Sequence, residues 1–141
     1  MKLEDAIMLA CEAHKDQKDK GGAPYILHVL RVLLAVPDHI DYQIVAALHD
    51  VFEDTSIKLV NHEDRLTPAQ VAALVAITKN KGEDYGDYIE RVATDPIAGI
   101  VKLADLNDNM DLGRLGRKPT PYDRLRHDKY QIAMNRLKGT L

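Results

Sequence analysis

The segment HDVFED at positions 49–54 puts an imidazole and three carboxylates on one short stretch of chain. It follows directly on the apolar run IVAAL at 44–48. If the helix continues, His49 and Asp50 stand at the end of a buried element, where an unpaired charge is costly. A divalent cation offsets that cost, and imidazole nitrogen with carboxylate oxygen is a donor set suited to Mn, Fe, Zn, Co or Ni. Helical spacing brings His49 next to Glu53 and Asp50 next to Asp54. The second acidic pair then overhangs the cation, where a carboxylate can orient or deprotonate a water acidified by the metal. The plainer role for an isolated His-Asp dipeptide is a helix end with surface ion pairs.

Two distant segments bear on that choice. AHKDQKDKGGAPYILH at 13–28 ends in His28, and VKLADLNDNM at 101–110 holds Asp105 behind Val101, Leu103 and Ala104. Each sets a ligand-type residue beside apolar surface. Taken singly, His28 reads as an ordinary helix-end histidine and Asp105 as an exposed acid.

The elements that must position these groups are helical. Leu3, Ile7, Ala10 and His14 recur at helical spacing and predict a first helix over about 3–18, which Gly21, Gly22 and Pro24 bring to an end. A second helix is expected from near Tyr25 to before Pro37, with His28 in its first turn. Asp41 is the expected N-cap of a third helix over 42–51, apolar around nearly its whole circumference and therefore central. Thr67-Pro68-Ala69-Gln70 opens a helix to about Thr78 with Thr as cap and Pro at the first helical position. The polar stretch KNKGED is a loop, followed by helices over 85–93 and about 96–112. A Gly- and Pro-rich connection at 113–121 leads to a last helix over about 122–137. Apolar alternation and hairpin signals are absent. The fold class is all-α, a compact helical bundle, and 141 residues suit one domain spanning 1–141.

Hydrophobic residues make up 45% and charged residues 29%, with no Trp and one Phe, so the core is mostly aliphatic. Nineteen Lys and Arg against 22 Asp and Glu leave a net charge of −3, which gives no global reason to bind nucleic acid. The single cysteine, Cys11, excludes an intramolecular disulfide and reads as a small buried hydrophobe. The N-terminus lacks the uninterrupted apolar core of a signal peptide, and no stretch reaches the roughly 20 apolar residues of a membrane span. A cytoplasmic location is expected, with no membrane partner. Oligomeric state is left open.

Together the three segments resemble the hydrolase domain of the RelA/SpoT-type enzymes and their single-domain small alarmone hydrolase relatives, a branch of the HD superfamily. Ala13, His14, Gln17, Lys20, Gly22, Pro24, Tyr25 and His28 match the family's first segment at its spacing. His49, Asp50, Glu53 and Asp54 match H-D-x-x-E-D, and Lys102, Leu103, Ala104, Asp105, Asn109 and Met110 match the third. The resemblance implies that His28, His49, Asp50 and Asp105 bind a metal, commonly Mn²⁺, while Glu53 and Asp54 handle the attacking water. It also implies that Asn109 contacts the sugar or phosphate of a phosphorylated nucleotide and that Tyr130 lies near it, with Lys20 a candidate phosphate contact. The implied reaction removes the 3′-pyrophosphate of ppGpp and returns GDP and pyrophosphate. One position departs from the family: Asp19 stands where an arginine usually stacks on guanine. Hydrolysis of a different phosphorylated nucleotide, or nucleotide binding without turnover, are therefore the alternatives. Lys18, Lys79 and Lys81, like Lys20, are open to two readings, as phosphate contacts or as solubilising surface.

Overall fold

A central helix, buried from Ile44 onward, organises the molecule. The structure, a computed structural model, describes residues 1–140 and is all-helical. Its elements are α1 (Leu3–Ala13), α2 (Ile26–Ala35), α3 (Ile40–Leu48), α4 (Val51–Asp54), α5 (Pro68–Ile77), α6 (Tyr85–Ala93), α7 (Pro96–Asn109) and α8 (Pro121–Lys138), with short 3₁₀ turns at Leu59–Asn61, Glu63–Arg65 and Leu112–Leu115. Every residue from Ile44 to Asp50 is buried. α1, α2, α5 and α7 all pack on α3, and α6 and α8 close over α7. Among the described residues the only β pairing is one bridge, Lys18 to Pro24, which pinches the loop between α1 and α2. No helix among them is long and apolar enough to cross a membrane.

Local chemistry fixes most helix starts. Thr67 and Gln70 form a reciprocal capping box with Pro68 in the first turn of α5, and Thr120 with Asp123 does the same for α8 behind Pro121. Asp95 caps α7 by accepting the Ala98 N–H at 2.9 Å, and Asp84 caps α6 through the Asp87 N–H at 3.0 Å. The far end of α5 is held by Arg91, whose guanidinium donates to the carbonyls of Val75, Ala76 and Thr78 at 2.7, 3.1 and 2.9 Å. A cation there satisfies carbonyls that have no helical partner and complements the helix dipole.

Several expected boundaries shift, each for a physical reason. α1 stops at Ala13 rather than near Lys18, because the chain turns through a left-handed Asp16 at φ 65°. His14 there turns inward, 2% exposed. The cap of α3 is His39, whose Nδ1 accepts the Asp41 N–H at 3.2 Å. Asp41 instead receives the Gln70 side chain at 2.8 Å and ties α3 to α5. The expected helix over 42–51 ends at Leu48 and restarts as α4, so His49 and Asp50 lie on a turn between two helices. α7 ends at Asn109, and part of the 113–121 connection folds as the Leu112–Leu115 turn. Cys11 is exposed, contrary to expectation. Ala6 and Ala10 face the core, and one residue past Ala10 is a rotation of about 100° toward water.

Candidate metal centre

Three segments distant in sequence meet under α3. His28 sits in the first turn of α2, His49 and Asp50 on the turn after α3, and Asp105 in α7. One ligand atom from each lies within 4.8 Å of the others, and all four residues are buried. His49 Nε2 is 3.0 Å from Asp50 Oδ2 and 3.3 Å from Asp105 Oδ1. His28 Nε2 is 3.5 and 3.0 Å from the same two atoms. The outer nitrogens are occupied: His49 Nδ1 donates to the Ala46 carbonyl at 2.6 Å, and His28 Nδ1 donates to Asp108 Oδ2 at 2.6 Å. Donation from Nδ1 leaves the Nε2 lone pair of each neutral ring facing the cluster, the arrangement that supports histidine ligands in metalloproteins.

The donor set fits a divalent cation. His28 Nε2 is buried and without a hydrogen-bond partner, because its approach to Asp105 is close in distance but off the hydrogen-bond direction. Two carboxylates are crowded in the same buried space. Asp50 accepts the Tyr25 hydroxyl at 2.6 Å. Asp105 accepts the Lys102 ammonium at 2.8 Å and the Asn109 amide at 3.0 Å. One lysine leaves one carboxylate charge uncompensated. In the metal-free protein, protons fill the gap: burial opposes a charged imidazole, but the carboxylates of Asp105 and Asp50 beside it outweigh that and raise His28 to about 9. His49 rises for the same reason, again against its burial and chiefly through Asp50. Burial pushes Asp50 and Asp105 upward, yet His49 holds the first and Lys102 the second well below the usual carboxylate range. A cation among the four ligand atoms takes the place of those protons.

Glu53 and Asp54 project from α4 into the cleft that adjoins the cluster, beside Asp50, Asp105, Asn109 and Tyr130. Glu53 accepts the Lys79 backbone N–H at 2.8 Å. Burial raises both carboxyls; Asp50 raises them further, while the Lys79 N–H works against the rise at Glu53. Both are thereby better proton acceptors than free carboxylates. Lys20 lies on a second lobe of the cleft, which shares Tyr25, Asp54, Asn109 and Tyr130 with the first. Tyr130 faces both lobes.

Asp19 is occupied by the protein itself. Its Oδ1 accepts the N–H groups of Gly21 and Ala23, both at 2.9 Å, and its Oδ2 meets Arg114 Nη1 at 3.3 Å. Arg114 also donates to the Asp108 carbonyl and carboxylate at 2.6 and 3.0 Å. The loop and the Leu112–Leu115 turn approach so closely that a side chain at Gly21 would run into the Arg114 carbonyl. Sequence reasoning left Asp108, Arg31 and Arg114 without roles. Asp108 is one helical turn beyond Asp105 and Arg31 one turn beyond His28, so the i, i+3 spacing was the available signal. Arg31 Nε donates to Asp108 Oδ1 at 2.7 Å.

The comparisons agree with this architecture. No family model matches the chain. A guanosine-3′,5′-bis(diphosphate) 3′-pyrophosphohydrolase of Aquifex aeolicus is 32% identical over 119 residues, which cover 77% of this chain and 17% of that protein. The chain therefore spans about a sixth of that relative's length. The guanosine-3′,5′-bis(diphosphate) 3′-pyrophosphohydrolase MESH1 of Drosophila melanogaster is 28% identical over 155 residues, covering 99% of this chain and 86% of the relative. A solved structure of a metazoan ortholog of SpoT superposes with a TM-score of 0.77 at 24% identity, over 98% of this chain and 84% of the other, and shows the same fold. The chain thus resembles, in sequence and in fold, the HD-type (p)ppGpp hydrolase domains of the SpoT/RelA proteins and of MESH1.

Proposed function

We propose that this protein, acting as one HD domain over residues 1–141, is a metal-dependent phosphohydrolase that removes the 3′-pyrophosphate of ppGpp and releases GDP and pyrophosphate. The observation that carries the reading is the buried quartet of His28, His49, Asp50 and Asp105 opening onto the cleft that holds Glu53 and Asp54. The two relatives named for 3′-pyrophosphate removal supply the substrate class. The quartet holds a divalent cation, Mn²⁺ in this reading, which when bound lowers the pKa of water and polarises a phosphoryl oxygen. Glu53 and Asp54 take the proton of the attacking water, a role suited to carboxyls raised by burial. Tyr25 and Lys102 hold Asp50 and Asp105 in place through one oxygen each. Asn109 and Tyr130 contact the nucleotide from the shared floor of the cleft, and Lys20 a phosphate at its outer end.

The test is product analysis of ppGpp incubated with Mn²⁺-loaded protein, before and after complete chelation. GDP and pyrophosphate are expected in the first case and no turnover in the second. Phosphate-releasing activity that survives metal removal overturns the mechanism. A second reading, hydrolysis of a different phosphorylated nucleotide, is favoured by one observation: Asp19 is committed to Gly21, Ala23 and Arg114, so position 19 offers no stacking surface. A nucleotide panel run beside ppGpp separates the two.

A further inference from the structure

The lobe of the cleft next to Asp50 and Asp105 carries cations that the hydrolytic centre does not use. Lys79, in the loop before α6, and Lys129, on α8, both line it, together with Tyr85 and the buried Lys102. Among the described residues neither Lys79 nor Lys129 is ion-paired. Lys79 Nζ reaches the Asn80 carbonyl at 3.5 Å, and Lys129 Nζ lies 4.1 Å from the centre of the Tyr85 ring. The Tyr85 hydroxyl is buried without a hydrogen-bond partner. Burial pushes its phenol up to about 12, so it is a hydrogen-bond donor at neutral pH. Lys129 is held below its usual range by partial burial and then by the nearby cations Lys102, Lys79 and Arg126, the first two of which line the same lobe. Of the acids in the same lobe, Glu53 accepts the Lys79 N–H, Glu83 is bound by Arg91 at 2.9 Å, Asp50 and Asp105 belong to the metal quartet, and Asp54 alone has no side-chain partner among the described residues, in keeping with its place beside the attacking water.

Unpaired ammonium groups and a donor hydroxyl around a water-accessible space make a site for a multiply charged oxyanion. We propose that Lys129, with the Tyr85 hydroxyl and Lys79, binds a second phosphoryl group beside the one at the metal centre and so selects a tandem diphosphate over a single phosphate. This rests on the reading of the quartet as a phosphohydrolase centre. It adds the reason that the departing group is pyrophosphate rather than orthophosphate: the second phosphoryl group needs donors just beyond the metal ligands, and this lobe places them there.

Calorimetry on the full chain at fixed free Mn²⁺ tests it with inorganic pyrophosphate and orthophosphate as probes. Lys129→Met is expected to weaken pyrophosphate binding about tenfold and orthophosphate binding less than about twofold, the loss of one charge-assisted contact. Tyr85→Phe should act in the same direction, about threefold, and Lys129→Arg should retain the preference. Thermal unfolding of each variant verifies that the fold is intact. Unchanged pyrophosphate affinity in Lys129→Met, or an equal loss for both anions, overturns the proposal. If ppGpp is not hydrolysed but pyrophosphate binding still depends on Lys129, the function assigned above fails and the subsite stands. If ppGpp is hydrolysed and Lys129→Met binds pyrophosphate as the wild type does, the subsite fails and the function stands.

Discussion

The inner wall of the cleft, built by α2, α3 and α7, and its outer rim, built by the loop at 15–24 and the turn at 112–115, hold their polar groups in different ways. On the wall, His28 and Asp105, on α2 and α7, and His49, on the turn after α3, are each 2–3% exposed among aliphatic side chains. On the rim, Asp19 and Arg114 are 12% and 26% exposed at the side chain, and they are placed by loop amides and by each other. The wall can enforce geometry on reacting atoms because its neighbours cannot move without opening a cavity in the core. The rim can vary without that cost, which is why the position that departs from the family, Asp19, lies there. On the proposed function the chemistry lies at the wall, and variants at Asp19 and Arg114 decide what the rim contributes.

Removing a ligand from the wall is the harshest way to break this comparison. Asp50→Ala is expected to abolish metal binding and to lower turnover of ppGpp about a thousandfold or more, the several kcal/mol that a Lewis acid contributes. Metal analysis of the purified variant and initial rates at saturating Mn²⁺ measure both. Added Mn²⁺ should raise the unfolding temperature of the wild type and leave that of the variant unchanged.

Glu53→Gln is predicted to act on the chemistry alone. Its carboxylate is outside the quartet, so metal content should stay at the wild-type level while kcat falls about a hundredfold, within the range for loss of a general base. A variant that lost both would move Glu53 into the ligand set and redraw the boundary of the wall.

Asp108 sits where the two regions meet. It orients His28 through Nδ1 at 2.6 Å and anchors Arg31 and Arg114. Asp108→Asn should weaken metal affinity about ten- to a hundredfold, as for other supports of histidine ligands. Burial pushes the Asp108 carboxyl up, but Arg31 and His28 hold it below the usual range. A lowered folded pKa gives stability that is present above the unfolded value of about 4 and lost as pH falls through the folded one. The stability gap between wild type and variant, measured by urea unfolding of the metal-free proteins, should therefore be widest near neutrality and close on acidification.

The same division decides what could be read without the fold. The start of α5 was legible because Thr67 with Gln70 acts over one turn of chain, whereas α8 begins at Pro121, one residue before the expected start, because Thr120 and Asp123 form the same box there. His49 and Asp50 stood out because a charged pair after five apolar residues demands compensation. The end of α1 was not legible, since the left-handed turn at Asp16 answers to the docking of His14 in the core. Nor was the role of Asp108, whose partner His28 is 80 residues away. Cys11 was misplaced by a rotation of one residue on a short amphipathic helix, where apolar type alone does not choose the face. Lys102 lay inside a recognised segment, but its bond to Asp105 needed the helix to show it.

The mildest test asks whether the rim is a recognition device or only a clasp. Asp19→Ala and Arg114→Ala each break the 3.3 Å pair between the loop and the turn. Partly exposed pairs contribute about 0.2–1 kcal/mol, so either single variant should remain folded. Arg114 also holds Asp108, so Arg114→Ala should raise KM for ppGpp about fivefold with kcat changed less than about twofold, and Asp19→Ala should do less. In the double variant the two changes should fall short of additive by up to about 1 kcal/mol in kcat/KM, because residues in contact share their loss. The discriminating measurement is the same cycle run with a second nucleotide carrying a different base. If the pair is a clasp, both substrates lose in the same proportion, since a looser loop fails every ligand alike. If the rim reads the base, the proportions differ, and the difference tracks Asp19 rather than Arg114, because only Asp19 holds the amides of Gly21 and Ala23 that shape the loop.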